Sequence, residues 1–278
     1  MTTLIALIAV DDRRPSSLYF ASDSRITWEP EKKQDGHVAG RVRWDAGRKL
    51  FACKQHADIF GYAGDVLFPS LVIGQMTDAA DMGLLFPADD NSETRHCKFI
   101  DAIRSSINRR QNAPDFSFNI LHGSRDSSGM TSTFRVWHSA YSTENKSWTD
   151  DEISVPTDKS KLFKALGSGG VSVWEHDALI SQTPQGDTSR GAFWGFCDSL
   201  RSNKDPLSGG PPQLVGLYRQ GCAKTLGVVY NGERFIHGLP LPSGVRFGQV
   251  EWRDENFQRI DGDTLQLSKG AQPHARDK

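Results

Sequence analysis

Residues 1–10 read MTTLIALIAV, with two hydroxyl residues ahead of an unbroken apolar run from Leu4 to Val10. A charged turn containing proline, DDRRPSS at 11–17, closes the run. Such a run is either the core of a secretory leader or a buried strand, and its flanks separate the two readings. No basic stretch precedes it and no small-x-small cleavage site follows, so a strand is preferred. Met before a small residue is normally trimmed in the cytosol, which makes Thr2 the expected first residue of the mature chain. One residue would then carry a free amine and a hydroxyl together.

Composition narrows the function classes. The 278 residues, 37% hydrophobic with 15 Phe and 7 Trp, suffice for a sizeable core. A net charge of -1 argues against a nucleic-acid or membrane-surface binder, which would show a basic excess. No stretch approaches the ~18 apolar residues of a membrane helix. Cys53, Cys97, Cys197 and Cys222 are scattered without a C-x-x-C pair, so neither a metal site nor a disulfide framework is expected. A cytoplasmic protein with reduced thiols and no cofactor fits.

Strand and helix patterns alternate in pairs along the chain. LYFASDSR pairs with the first strand, and KLFACK with ADIFGYAG makes a second hairpin. Helical spacing follows in FPSLVIGQMTDAADMGLL and HCKFIDAIRSSINRR. Strands at FSFNILHG, TFRVWHSA and LFKALG precede helices at VSVWEHDALI and RGAFWGFCDSLRS, and PQLVGLYR, KTLGVVY and ERFIHGL return to strands. This order predicts an α+β fold, a four-layer αββα sandwich of two stacked antiparallel sheets flanked by helices. Residues 1–253 read as a single domain, and the polar stretch 254–278 as a flexible C-terminal tail. WEHD around His176 reads as a solvated helix face, and GDTSRG lacks the lysine of a phosphate loop.

Taken singly, ASDSRIT, GRKLF, YAGD, LGSGG and DPLSGG are ordinary strand ends and turns. In this order they resemble the proteasome β-subunits and the HslV peptidase, threonine members of the N-terminal nucleophile hydrolases. The resemblance covers most of residues 2–237. It places Thr2 on the nucleophile, Asp23 on the aspartate that holds the lysine, and Lys49 on the catalytic lysine. Gly64 falls on the glycine whose amide faces the oxyanion, and Ser168, Asp205 and Ser208 on the cluster beside the nucleophile. It further implies that Thr27 pairs with substrate backbone and that Ile26, Phe51 and Tyr62 line an apolar specificity pocket.

Those residue types suit amide hydrolysis. A hydroxyl must lose its proton as it attacks, and a free α-amine with a pKa of about 7.7–8.0 is tuned to take it. A lysine charge favours the developing alkoxide, and an aspartate keeps that lysine charged and in place. The connection between Asp23 and Lys49 is longer than the family norm; it reads as a surface hairpin of no consequence, with reshaped access to the substrate groove as the alternative that the analogy offers. The expected activity is therefore a threonine endopeptidase acting on peptides or unfolded protein. Self-association into closed or open helical rings is implied, with no ATPase partner identified. A catalytically silent ring subunit and a small-molecule amidase on the same fold are the alternatives.

Overall fold

The computed structural model describes residues 2–28, 42–111 and 115–271. Residue 1, most of the insertion before Lys49 and the end of the expected tail therefore lie outside the described residues. The chain opens with the hairpin β1 (Leu4–Val10) and β2 (Pro15–Ser22), then the ribbon β3 (Ile26–Trp28) and β4 (Val42–Trp44). The hairpin β5 (Leu50–Ala52) and β6 (Asp58–Gly64) leads into helices α1 (Leu67–Asp81) and α2 (Ser92–Asn108). Strands β7 (Phe118–Asp126), β8 (Thr133–Ser142), β9 (Ser147–Ile153) and β10 (Lys161–Leu166) precede α3 (Gly170–Ile180) and α4 (Ser189–Arg201). Six further strands follow: β11 (Gln213–Tyr218), β12 (Lys224–Tyr230), β13 (Glu233–Ile236), β14 (Leu239–Pro240), β15 (Trp252–Asp254) and β16 (Arg259–Ile260).

These strands form two main sheets, one ordered β10-β1-β2-β11-β12-β13-β14 and the other β5-β6-β7-β8-β9. Strand β1 explains why its sequence is apolar at every position. Leu4, Ala6 and Ile8 meet Leu50, Ile59 and Leu121 of the second sheet, while Ile5 and Leu7 meet Val173, Phe193 and Phe196 of α3 and α4. A strand covered on both faces loses the polar-apolar alternation of a half-exposed one. On the far side of the second sheet, Phe60 and Phe118 pack against Ile73 of α1 and Phe99 and Ile103 of α2.

Helices α1 and α4 start where the sequence supplies an acceptor. Asp65 of YAGD accepts from Leu67 N and Phe68 N, each at 3.2 Å, at the start of α1. Thr188 of GDTSRG accepts from Gly191 N at 2.9 Å at the start of α4, so that stretch is a helix cap.

The structure departs from the expected layout in three places. Strand β9 carries Asp150, Asp151 and Glu152 in a row and has no apolar alternation; pairing with β8 at the sheet edge makes it a strand. Residues 254–271 are not a loose tail throughout. β15 joins β12 in parallel and carries β16, and Trp252 and Ile260 pack with Phe247 and Val229 in a separate apolar cluster. The first sheet is thus not purely antiparallel. Finally, the flanks of the insertion pair as β3 and β4, leaving Trp28 50% and Trp44 52% exposed.

A buried polar network, unsignalled by the sequence pattern, ties α2 to the second sheet. His122 Nε2 lies 3.0 Å from Asp58 Oδ1, His96 Nε2 lies 3.1 Å from Asp150 Oδ1, and the two rings meet Nδ1 to Nδ1 at 3.0 Å. Burial pulls the His122 pKa down to about 4, against the hydrogen bond to Asp58. Arg95 Nε also donates to Asp58, reaching Oδ2 at 2.9 Å.

Candidate active site

The candidate residues from the strand ends and loops converge at one end of the first sheet. Asp23 follows β2 and has no exposed surface. Its Oδ1 accepts from Lys49 Nζ at 2.7 Å and from Thr3 N at 2.9 Å. Its Oδ2 accepts from Gly209 N at 3.0 Å and Arg25 N at 3.2 Å. The peptide joining Thr2 to Thr3 is thereby pinned to the same carboxylate as the lysine. Lys49, just ahead of β5, is also wholly buried, and its Nζ donates a second bond to Arg25 O at 2.7 Å. Burial lowers the Lys49 pKa, while the Asp23 carboxylate works against that shift.

Thr2 is wholly buried, and its hydroxyl has no hydrogen-bond partner among the described residues. A buried unsatisfied hydroxyl carries a cost of about 1–3 kcal/mol, so its retention calls for a reason. The loop after β10 closes over it. Gly167 adopts φ +86, and a Cβ there would stand 1.8 Å from Thr2 O. No side chain fits between this loop and the Thr2 backbone.

The next residue links to the serine-aspartate cluster. Thr3 Oγ1 donates to Ser208 Oγ at 2.7 Å, and Ser208 Oγ donates in turn to Asp205 Oδ2 at 2.7 Å. Ser168 Oγ donates to the same oxygen at 2.6 Å. Burial pushes the Asp205 carboxyl up, but the bonds from Ser168, Ser208 and Leu207 N outweigh it and hold the pKa below the usual range. The loop is clamped by Arg25, whose Nη1 donates to Ser208 O at 3.1 Å. Asp45 grips the same guanidinium through two bonds of 2.8 and 2.9 Å.

The remaining expected residues are placed less uniformly. Gly64 ends β6 at φ +105, where a Cβ would come 2.6 Å from Ser117 O. It lies two residues beyond Tyr62, whose N–H donates to Lys49 O at 3.3 Å. Thr27 sits on β3 with a buried hydroxyl that has no partner among the described residues. Ile26 is buried at the root of that ribbon. Phe51 and Tyr62, expected to line a pocket, belong to the core beneath α1 and α2, and the Tyr62 hydroxyl donates to Arg48 O at 2.8 Å. They face the helix side of the second sheet, so they have no open surface to offer a ligand. Sequence reasoning missed Asp45 and Gln213; the only signal for Gln213 was a lone polar residue opening an apolar strand.

Among the described residues no helix is long and apolar enough to cross a membrane. No disulfide joins the four cysteines.

No known family's sequence profile matches the chain, and no curated protein matches it in sequence. Solved structures are similar at low identity. Anbu (Gly-1) mutant from Hyphomicrobium sp. strain MC1 shares 15% identity over 79% of this chain and 82% of its own, with a TM-score of 0.46. Anbu, an ancestral beta-subunit, from Yersinia bercovieri gives 16%, 77%, 81% and 0.45 in the same terms. Thiobacillus denitrificans BPH in complex with epoxomicin gives 15%, 79%, 100% and 0.48. The functional reading is carried by the site's own geometry.

Proposed function

We propose that the chain is a threonine-type peptidase on the four-layer fold of the N-terminal nucleophile hydrolases, with Thr2 as nucleophile after loss of Met1. One observation carries the reading. Asp23 Oδ1 receives both Lys49 Nζ and the N–H of the residue after Thr2, bringing an unpartnered hydroxyl residue to a buried ion pair. While Met1 is attached, the Thr2 nitrogen is an amide and cannot act as a base. Its removal frees an amine on the same residue as the hydroxyl.

The hydroxyl oxygen attacks the substrate carbonyl, and its proton passes to the α-amine. Two Lys49 N–H bonds are taken by Asp23 and Arg25 O, leaving the third to stabilise the alkoxide. The C–N bond then breaks as the proton moves to the leaving amine. Water then adds to the acyl carbon of the Thr2 ester as its proton passes to the α-amine, and the ester C–O bond breaks as that proton returns to the Thr2 oxygen, releasing the acid. Gly64 N–H is the proposed oxyanion donor, and Ser168, Asp205 and Ser208 hold the amine and relay its proton. Thr27 offers its backbone to an extended peptide.

Self-association into closed or open helical rings belongs to the same reading. Leu67 and Leu71 on α1 and Val171 and Leu179 on α3 remain exposed, as contact surfaces between copies would require. A fluorogenic peptide screen on the processed chain tests the activity, with light scattering for assembly. Turnover of peptides supports the reading, and turnover restricted to small amides moves it to the amidase alternative. A processed, folded chain inert to both leaves the silent ring subunit.

A further inference from the structure

Gln213, the first residue of β11, has no exposed surface and makes three hydrogen bonds, all to backbone. Its Oε1 accepts from Lys49 N at 3.0 Å. Its Nε2 donates to Asp23 O at 3.0 Å and to Gly47 O at 2.7 Å. The amide orientation is forced, because flipping it would set NH₂ against an N–H and oxygen against two carbonyls. One carboxamide thus joins the main chain of Asp23 to the main chain on either side of Arg48. Gln213 is itself held in register by pairing with Ser22 on β2, and Ser22 Oγ donates to Thr3 O at 2.9 Å.

We propose that Gln213 is a positioning residue for the lysine, fixing where the Lys49 main chain stands relative to Asp23 and so how far the ammonium reaches toward the Thr2 hydroxyl. The inference rests on the peptidase reading given above. Lys49 lies just ahead of the short strand β5, which spans only Leu50–Ala52, so the ladder alone gives its backbone little support. The Asp23–Lys49 contact sets the distance between side chains. Gln213 sets the distance between their backbones, which a flexible four-carbon stem cannot do. A misplacement of about 1 Å in a catalytic group costs on the order of 100-fold in rate.

Two substitutions test the assignment on the processed full-length chain. Gln213→Met removes all three bonds at similar length, and Gln213→Glu keeps the acceptor for Lys49 N while losing the donors when ionised. Both are expected to lower kcat by about 100-fold per folded molecule with KM within about twofold. In Gln213→Glu the loss should shrink as pH falls, since a protonated carboxyl regains one donor. A purely structural role would lower the melting temperature without moving the pH profile. Should Gln213→Met not fold, Gln213→Glu still carries the kinetic test. Crystal structures of the variants supply a readout independent of turnover, with the Lys49–Asp23 contact expected to open from its 2.7 Å. An unchanged contact with wild-type kcat overturns the positioning role. A wild-type chain inert to every substrate overturns the peptidase reading instead, while the crystal structures still judge the positioning.

Discussion

Lys49 Nζ stands 2.7 Å from Asp23 Oδ1, and neither side chain has any solvent-exposed surface. The pair therefore matters to stability as well as to chemistry. Removing one partner of a buried ion pair costs about 3–5 kcal/mol, because the other charge is left without compensation. Lys49→Ala should lower turnover by several orders of magnitude and also lower the melting temperature. Pairing Lys49→Met with Asp23→Asn should recover much of the melting temperature and none of the turnover. Calorimetry and peptide kinetics on the same preparations check this, and a Lys49→Ala protein as active as wild type would sink the catalytic role.

Thr2 provides the most specific chemical test. An amine and a hydroxyl on one residue can close a six-membered morpholine-type ring with a peptide epoxyketone, whereas an internal serine has no amine to contribute. The processed chain should begin at Thr2 by intact mass, and digestion should locate the double adduct there. Thr2→Ala should abolish labelling with the fold intact by circular dichroism. An adduct on any other residue would falsify the nucleophile assignment.

Two glycines with positive φ separate strain from obstruction. Gly83 has φ +70 with nothing within 4 Å of the place a methyl group would take, so Gly83→Ala should cost only the left-handed backbone term, about 1–2 kcal/mol. Gly167 has φ +86 with Thr2 O in the way, so Gly167→Ala should cost more and displace Thr2 as well. Only the second substitution should reduce turnover per folded molecule. Equal effects on stability and activity would show that the loop does not press on Thr2.

The histidine pair sets an acid limit. The folded-state pKa of His122, about 4, lies below its ordinary 6.5, so between these values the unfolded chain binds more protons. The stability tied to neutral His122 is fully present above pH 6.5 and falls as pH drops toward 4. Calorimetric melting temperatures should decline through that window, and less steeply for His122→Gln. Parallel curves for the two proteins would contradict the assignment.

Much of the fold was legible because the physics is local. The apolar run Leu4 to Val10, closed by a charged turn, is the observed β1 without adjustment. Strand β9 was not legible, since its acidic residues owe their extended form to a neighbour rather than to any pattern of their own. The site divides in the same way. Asp23, Lys49, Ser168, Asp205 and Ser208 each read as an ordinary strand end or turn, and only the order of their motifs, through the family it resembles, singled them out as candidates. Gln213 acts through backbone groups of Asp23, Gly47 and Lys49, contacts that no spacing in the chain announces. Phe51 and Tyr62 show the converse limit. Alternation tells which residues share a face of a sheet, but not whether that face meets a groove or a helix.

The pairing of β2 with β11 has a consequence during synthesis. Thr2, Asp23 and Lys49 leave the ribosome early, yet Asp205, Ser208, Gly209 and Gln213, which complete their surroundings, come from much later in the chain. A nascent chain shorter than these residues lacks Ser208 on Thr3, Gly209 on Asp23 and Gln213 on the Lys49 main chain. Contacts so distant in sequence also form late, after the cost of closing a long loop has been met. The cluster therefore comes into being only once β11 has been made, a form of timing written into the order of the strands.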